Sequence, residues 1–443
     1  MSSIQAAREQ GFELFARHVN PSLHGFLEHS GQNPRFISAQ GMDLHTADGR
    51  VVEDWMAFWG SQNFGHNNPQ VKAAAVAALD AGIPSLYSDA VNPYSGLFAR
   101  KILDAINPRV GGDFYETVFF TNSGTEAVEC AIKMSIASTR RRKILYCLGG
   151  YHGTTLGSLS MMAKGGFRDY LEPLLPEFVG VPFNDVAALQ AALATGEFAA
   201  FVMEPIQIES GVIGADAAFA RAAQAHCTRH GTYFVIDEIQ TGMHRSGDFT
   251  YFNVLGVQPD MFLLGKSLSG GLLSSGACIA RKGIFKSAFP DYMTAELHFS
   301  TFAGSPIACA TGVAAFEIAA QPAFKANVAA LEAAMRDEFV RIAEHPVVAS
   351  ARLYGLMGGI TLKEVPNAFR WRDYGVDDDA SVTTGPLLAK KLLEAGIFTR
   401  LCAHDFNTLR VQPPVVVAPA RCRSFGDRVL AALDAIAHEG AGA

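Results

Sequence analysis

Between residues 118 and 280 short apolar runs alternate with longer stretches of helical periodicity, and this alternation limits the fold more than any other feature of the chain. Val118-Phe119-Phe120 leads into a helical pattern over 125–138, and further strand candidates follow at 144–147, 200–203, 233–236, 261–264 and 277–280. Strands separated by helices need crossover connections, so the pattern predicts an α/β fold, a mostly parallel sheet with helices on both faces. Ligands of such sheets gather at the carboxyl ends of the strands. Glu204, Asp237 and the Ser123-Gly124 turn all fall at or just past such ends. Beyond about residue 320 the character changes. Ala-rich helical stretches at 327–342 and 386–395 alternate with short strand candidates at 358–362 and 409–411, which predicts a smaller α+β domain. The polar, acidic stretch 364–382 reads as a surface excursion.

The chain's 443 residues are too many for one core of ordinary size, so two domains or one large α/β unit with appendages is expected. A content of 49% hydrophobic and 18% charged residues suits a packed enzyme rather than a disordered chain. A net charge of -7 without a basic block argues against a nucleic-acid partner. The longest apolar runs, such as 71–79, are short and Ala-rich, so no membrane span is expected. The first residues lack the apolar core of a signal peptide. The seven cysteines, Cys130, Cys147, Cys227, Cys278, Cys309, Cys402 and Cys422, form no C-x-x-C pair and are odd in number. They read as reduced buried thiols, and the location expected is cytoplasmic. His226 and His230 are spaced to share a helix face, but no H-E-x-x-H context accompanies them and no metal is expected.

Two segments carry the chemistry. Tyr233-Phe234-Val235-Ile236-Asp237 reads as a buried strand ending in a carboxylate, and Gly265-Lys266-Ser267 presents a lysine in a small-residue turn. An acid and a lysine at strand ends suit an aldehyde cofactor, held as a Schiff base with its ring nitrogen protonated. Taken singly, Asp237 reads first as half of a structural ion pair, and Lys266 first as a surface lysine. Asn122-Ser123-Gly124-Thr125-Glu126 opens a helix and leaves backbone N–H groups for an anion, or is an ordinary N-cap. In Gly149-Gly150-Tyr151-His152-Gly153 the aromatic ring either stacks on a flat heterocycle or simply packs. Arg410, in Leu409-Arg410-Val411-Gln412-Pro413-Pro414, offers a carboxylate receptor, and the Glu204-Pro205 segment an acid to occupy it.

In order and spacing these motifs, from about Gly41 to Pro414, resemble the class III (ω-amino acid) aminotransferases of pyridoxal-phosphate fold type I. Gly65-His66-Asn67-Asn68-Pro69 also looks like that family's N-terminal Gly-His-x-x-Pro. The resemblance implies a large domain over 61–320 with a mostly parallel central sheet. It also implies a small α+β domain over 321–443, joined by the N-terminal segment 1–60.

It further implies pyridoxal 5'-phosphate as cofactor and a ping-pong transamination between a primary ω-amine or ω-amino acid and an oxo acid, 2-oxoglutarate or pyruvate. Racemases or epimerases, aminomutases and decarboxylating enzymes of the same fold are the alternative. Lys266 would be the Schiff-base lysine and proton carrier, and Asp237 would hold the ring nitrogen. Ser123, Gly124 and Thr125 would bind phosphate. Tyr151, with His152 beside it, and Ile239 would enclose the ring, and Gln240 would reach its hydroxyl. Thr301 matches a threonine that reaches the partner subunit's phosphate, which implies a homodimer with shared active sites. Glu204 and Arg410 match an acid–arginine switch for the substrate carboxylate, and Trp59 a substrate-contacting position; Phe58 and Tyr87 suggest an apolar pocket. Thr154 stands where the resembling branch usually carries arginine, and Ser305 where it carries asparagine.

Overall fold

The central element of the computed structural model, which describes residues 3–163, 165, 168–365, 369–370 and 382–441, is a seven-stranded sheet. From edge to edge its strands are Tyr115–Thr121, Gly276–Arg281, Met261–Leu264, Tyr233–Asp237, Phe198–Met203, Lys143–Cys147 and Phe178–Val181. Gly276–Arg281 runs antiparallel to both neighbours, and every other adjacent pair is parallel.

Side-chain alternation explains why the central strands read as continuous apolar runs. Phe201, Phe234, Ile236 and Phe262 point into one core, where Phe219 and Ala223 of the Ala217–His230 helix cover them. Ala200, Val202, Val235, Met261 and Leu263 point into the other, against Val128, Ala131 and Met134 of the Gly124–Thr139 helix. With both faces covered there is no polar face to interrupt the run. The Phe178–Val181 edge strand was not anticipated. Its Gly180 weakens the strand pattern, and a Cβ there would lie 2.4 Å from Leu148 Cδ2 and displace that side chain.

The C-terminal part holds a second sheet in the order Val348–Tyr354, Met357–Leu362, Asp405–Val411, Leu401–Cys402. The helices Pro322–Ala343, Gly385–Glu394 and Arg421–Ala441 accompany it. Near the N-terminus, Phe36–Gln40, Asp43–Thr46 and Val51–Asp54 form a small sheet that Ile397–Phe398 completes, pairing parallel with Val51–Asp54. Trp55 stacks on Phe425 at 4.1 Å, and Arg421 reaches Asp43, so the small N-terminal sheet packs against the Arg421–Ala441 helix. Of the stretch 364–382, residues 366–368 and 371–381 lie outside the described residues. No single helix among the described residues is long and apolar enough to cross a membrane.

Candidate active site

The carboxyl ends of the parallel strands surround a cavity of about 240 Å³ lined by residues that include Gly124, Thr125, Tyr151, Asp237, Ile239 and Lys266. They come from four separate turns, and only the sheet brings them together. Asp237 ends its strand. Its Oδ1 accepts from the Ile239 backbone N–H at 3.0 Å, and its Oδ2 lies 2.8 Å from His152 Nδ1. The imidazole is buried, and its Nε2 has no hydrogen-bond partner among the described residues.

The helix that opens at Gly124 is capped by Ser123, whose hydroxyl accepts from Glu126 N–H at 3.3 Å. A Cβ on Gly124 would lie 2.8 Å from Ile239 Cδ1, so only glycine lets the helix start approach Ile239 this closely. Thr125 Oγ1 lies 2.7 Å from Thr155 Oγ1 and 2.6 Å from Ser158 Oγ. Glu129 accepts from Thr155 Oγ1 at 2.5 Å and from the Gly157 and Ser158 amides at 2.9 and 3.1 Å. That carboxylate therefore ties the loop after Tyr151 to the helix start.

Lys266 follows the Met261–Leu264 strand in the left-handed region, at φ 50°. Burial lowers its pKa; Asp237, then Glu209, oppose the shift and Arg410 reinforces it. The amine is thus partly prepared to lose its proton. The arrangement offers a positive helix start, an acid opposite a lysine, an apolar side chain on one wall and an aromatic one nearby. It fits a flat, phosphorylated aromatic aldehyde, and the unpartnered buried atoms of His152 and Gln240 mark polar positions for such a group.

A second cavity of about 270 Å³ adjoins the first through Tyr151, Gln240 and Lys266, and adds Trp59, Glu209 and Ala403. Here the structure corrects the sequence reading. Arg410 is paired not with Glu204 but with Glu209, whose Oε2 lies against Arg410 Nη2. Glu209 also accepts from the Ala403 N–H at 2.8 Å. Glu204 directly follows the Phe198–Met203 strand, accepts from Tyr151 N–H at 2.8 Å and lines the Lys266 cavity. Burial, then Asp237, raises its pKa well above the ordinary carboxylate value. Burial pushes Glu209 up as well, but Arg410 more than offsets this and holds it below its ordinary value. The signal was present in sequence as the second acid of Glu204-Pro205-Ile206-Gln207-Ile208-Glu209.

Trp59 lies over Arg410 with the guanidinium carbon 4.4 Å from the ring centroid. It stands in an unusual turn in which Ala57, Phe58, Trp59 and Gly60 have φ of 46°, 42°, 63° and 76°. Phe58 packs edge-on against His66 at 5.1 Å, and His66 pairs with the buried Asp54 at 2.8 Å. Thr301 and Tyr87 are not part of either cavity within the chain; they line a separate cleft of about 340 Å³. Thr154 lines the Lys266 cavity and is exposed. Composition and spacing gave no hint of the His152–Asp237 contact or of the left-handed turn.

A sequence model of the family described as Aminotransferase class-III matches residues 29–433. Aminotransferase PigE of a Serratia species is 31% identical over 95% of this chain, which spans about half of that relative's length, 52%. The putrescine aminotransferase of Pectobacterium atrosepticum is 32% identical over 95% of this chain and 87% of its own. Among solved structures, the ornithine aminotransferase of Toxoplasma gondii, with pyridoxal phosphate partly occupying its active site, superposes with a TM-score of 0.83. It is 25% identical and covers 99% of both chains.

Proposed function

Because this chain belongs to the class-III aminotransferases, we propose that it moves an amino group from a primary ω-amine or ω-amino acid to a carboxylate-bearing oxo acid, with one site serving both. The family uses pyridoxal phosphate and acts on an amine donor and an oxo-acid acceptor. The observation that carries the finer reading is Glu209 closed on a fully buried Arg410. A buried guanidinium needs a counter-charge. Glu209 supplies it while a carboxylate-free amine reacts, and gives way when an oxo acid brings its own carboxylate.

Bound pyridoxal phosphate supplies an electron sink for the amine carbon as it loses its proton. The chain's residues do the rest. Ser123, Gly124 and Thr125 hold the phosphate at the helix start. Asp237, oriented by His152, keeps the ring nitrogen protonated. Tyr151 and Ile239 enclose the ring, and Gln240 faces its hydroxyl. Lys266, its pKa lowered, accepts the proton at the reacting carbon. Trp59 walls the substrate side. Thr301, in a surface cleft near the exposed Phe299 and Phe302, serves the partner's phosphate in a homodimer. Seven buried cysteines without disulfides suit a cytoplasmic location.

The test is a pair of half-reactions followed by cofactor absorbance. An amine alone is expected to convert the bound cofactor once and stop, and an oxo acid to reverse it. Sustained turnover of the amine without any oxo acid would favour the racemase, aminomutase or decarboxylase alternative.

A further inference from the structure

Gln412 follows the Asp405–Val411 strand and donates its backbone N–H to Trp55 O at 2.7 Å. Its side chain is fully buried, yet neither Oε1 nor Nε2 has a hydrogen-bond partner among the described residues. Buried amides are rarely left so, because desolvation without a partner is costly. Two further groups share the condition: Gln240 Oε1, and the Nε and Nη1 nitrogens of Arg410. The groups are neighbours. A Cβ built on Gly60 would lie 3.8 Å from Gln412 Oε1 and 3.9 Å from Gln240 Oε1. Gly60 follows Trp59, whose ring covers Arg410. Arg410 and Gln412 are two residues apart on an extended chain, so both side chains leave on one side.

The N–H donors among these groups are Gln412 Nε2 and Arg410 Nε and Nη1, and the acceptors are the two amide oxygens. A guanidinium edge beside an amide N–H suits a carboxylate, with two oxygens in one plane. We propose that Gln412 is a specificity-determining residue of the acceptor site, donating its amide N–H to the oxo-acid carboxylate that Arg410 binds when Glu209 moves aside. The proposal rests on the reading of Arg410 given above and adds a second, neutral donor to it. Sequence position alone does not mark Gln412, since a glutamine before a Pro-Pro turn is most simply a solvated loop residue.

The experiment titrates the holoenzyme with propionate, a carboxylate without an oxo group, by calorimetry, and measures the half-reaction of a carboxylate-free amine in parallel. Gln412→Leu is expected to weaken propionate about tenfold, the share of one hydrogen bond to a charged group, and to leave the amine half-reaction within about twofold. Gln412→Glu, which offers Arg410 an internal carboxylate, is expected to weaken propionate further. Unchanged propionate affinity in Gln412→Leu overturns the proposal and assigns the amides to buried water. Equal losses for propionate and amine also overturn it, since they indicate a structural role. Gln412→Met gives the same reading if the leucine variant folds poorly. Failure of the unaltered enzyme to take an amino group from any amine breaks the transaminase reading instead, and is seen before any variant is made.

Discussion

The two sides of Lys266 are built on opposite plans. On the cofactor side, side-chain hydrogen bonding is extensive: Asp237 to His152 and Ile239, Thr125 to Thr155 and Ser158, Glu129 to three donors. These groups sit at strand ends and on a helix start, held from both faces of the sheet. On the proposed substrate side, among the described residues, Arg410 has one ion-pair partner, the Gln412 side chain has no hydrogen-bond partner, and Trp59 rides on a left-handed turn. The first side is largely hydrogen-bonded before a ligand arrives, with His152 Nε2 and Gln240 Oε1 left without a partner there among the described residues; the second holds groups whose partners must be brought in or exchanged. A site that accepts one cofactor but two different substrates needs this division.

Lys266→Ala tests the first side and carries the largest expected effect. Without the amine that takes and returns the proton, transamination should fall by up to about 10⁴-fold. Cofactor should still bind, because the residues proposed to hold its phosphate and ring remain; multiple turnovers measured by product formation would remove Lys266 from its role. Arg410→Ala tests the second side. Truncating one partner of a buried charge pair costs about 2–5 kcal/mol. The kcat/KM for an oxo acid should therefore drop about 10²- to 10³-fold, with a carboxylate-free amine much less affected. Equal losses for both substrates would show that the two sides are not separable.

The same division governs what the sequence disclosed. The strand ends bearing Glu204, Asp237 and Lys266 were legible because burial on two faces forces uninterrupted apolar runs, and a charge that ends such a run stands out. The substrate side was legible only as isolated residues. Arg410 and Trp59 stand out singly, but Glu204 is the acid the sequence offers as partner of Arg410, because sequence order does not show which of two acids five positions apart faces a strand of the second sheet. The φ values of 46°, 42° and 63° at Ala57, Phe58 and Trp59 left no trace at all, since none of these residue types signals a left-handed backbone. The edge strand at Phe178–Val181 was hidden for a simpler reason, its glycine and its partial exposure.

Glu238 offers a smaller test of how complete the cofactor side is. It is fully buried behind Asp237, accepts from Phe252 N–H at 2.8 Å and from the Thr241 hydroxyl, and is raised by burial from 4.5 to about 7. Between those values the folded protein keeps a proton that the unfolded chain releases. Stability from this residue is therefore present below pH 4.5 and lost as pH rises toward 7, by about 3 kcal/mol in all. Glu238→Gln should remove that part of the slope while keeping an acceptor for Phe252. Denaturant midpoints at pH 5 and pH 8 measure it, and an unchanged difference between the two in the variant would show that Glu238 is satisfied as an anion.

The smallest effect concerns the turn that carries Trp59. Comparing Trp59→Ala with Trp59→Gly isolates its backbone, because both variants lose the indole and its contact with Arg410 alike. At φ 63° alanine still meets the clash between Cβ and the following carbonyl, whereas glycine does not. The glycine variant should then be the more stable by about 1 kcal/mol, even though glycine loses more entropy on folding. A difference of that sign means that the fold imposes the left-handed turn, through Gly60, the Phe58–His66–Asp54 stack and the Trp55–Phe425 packing on either side. Equal stabilities mean that the indole itself draws the backbone into place by seating on Arg410, and that the turn relaxes once the ring is gone. The first outcome makes the wall of the substrate side as prebuilt as the cofactor side. The second makes it part of the same exchangeable set as Glu209.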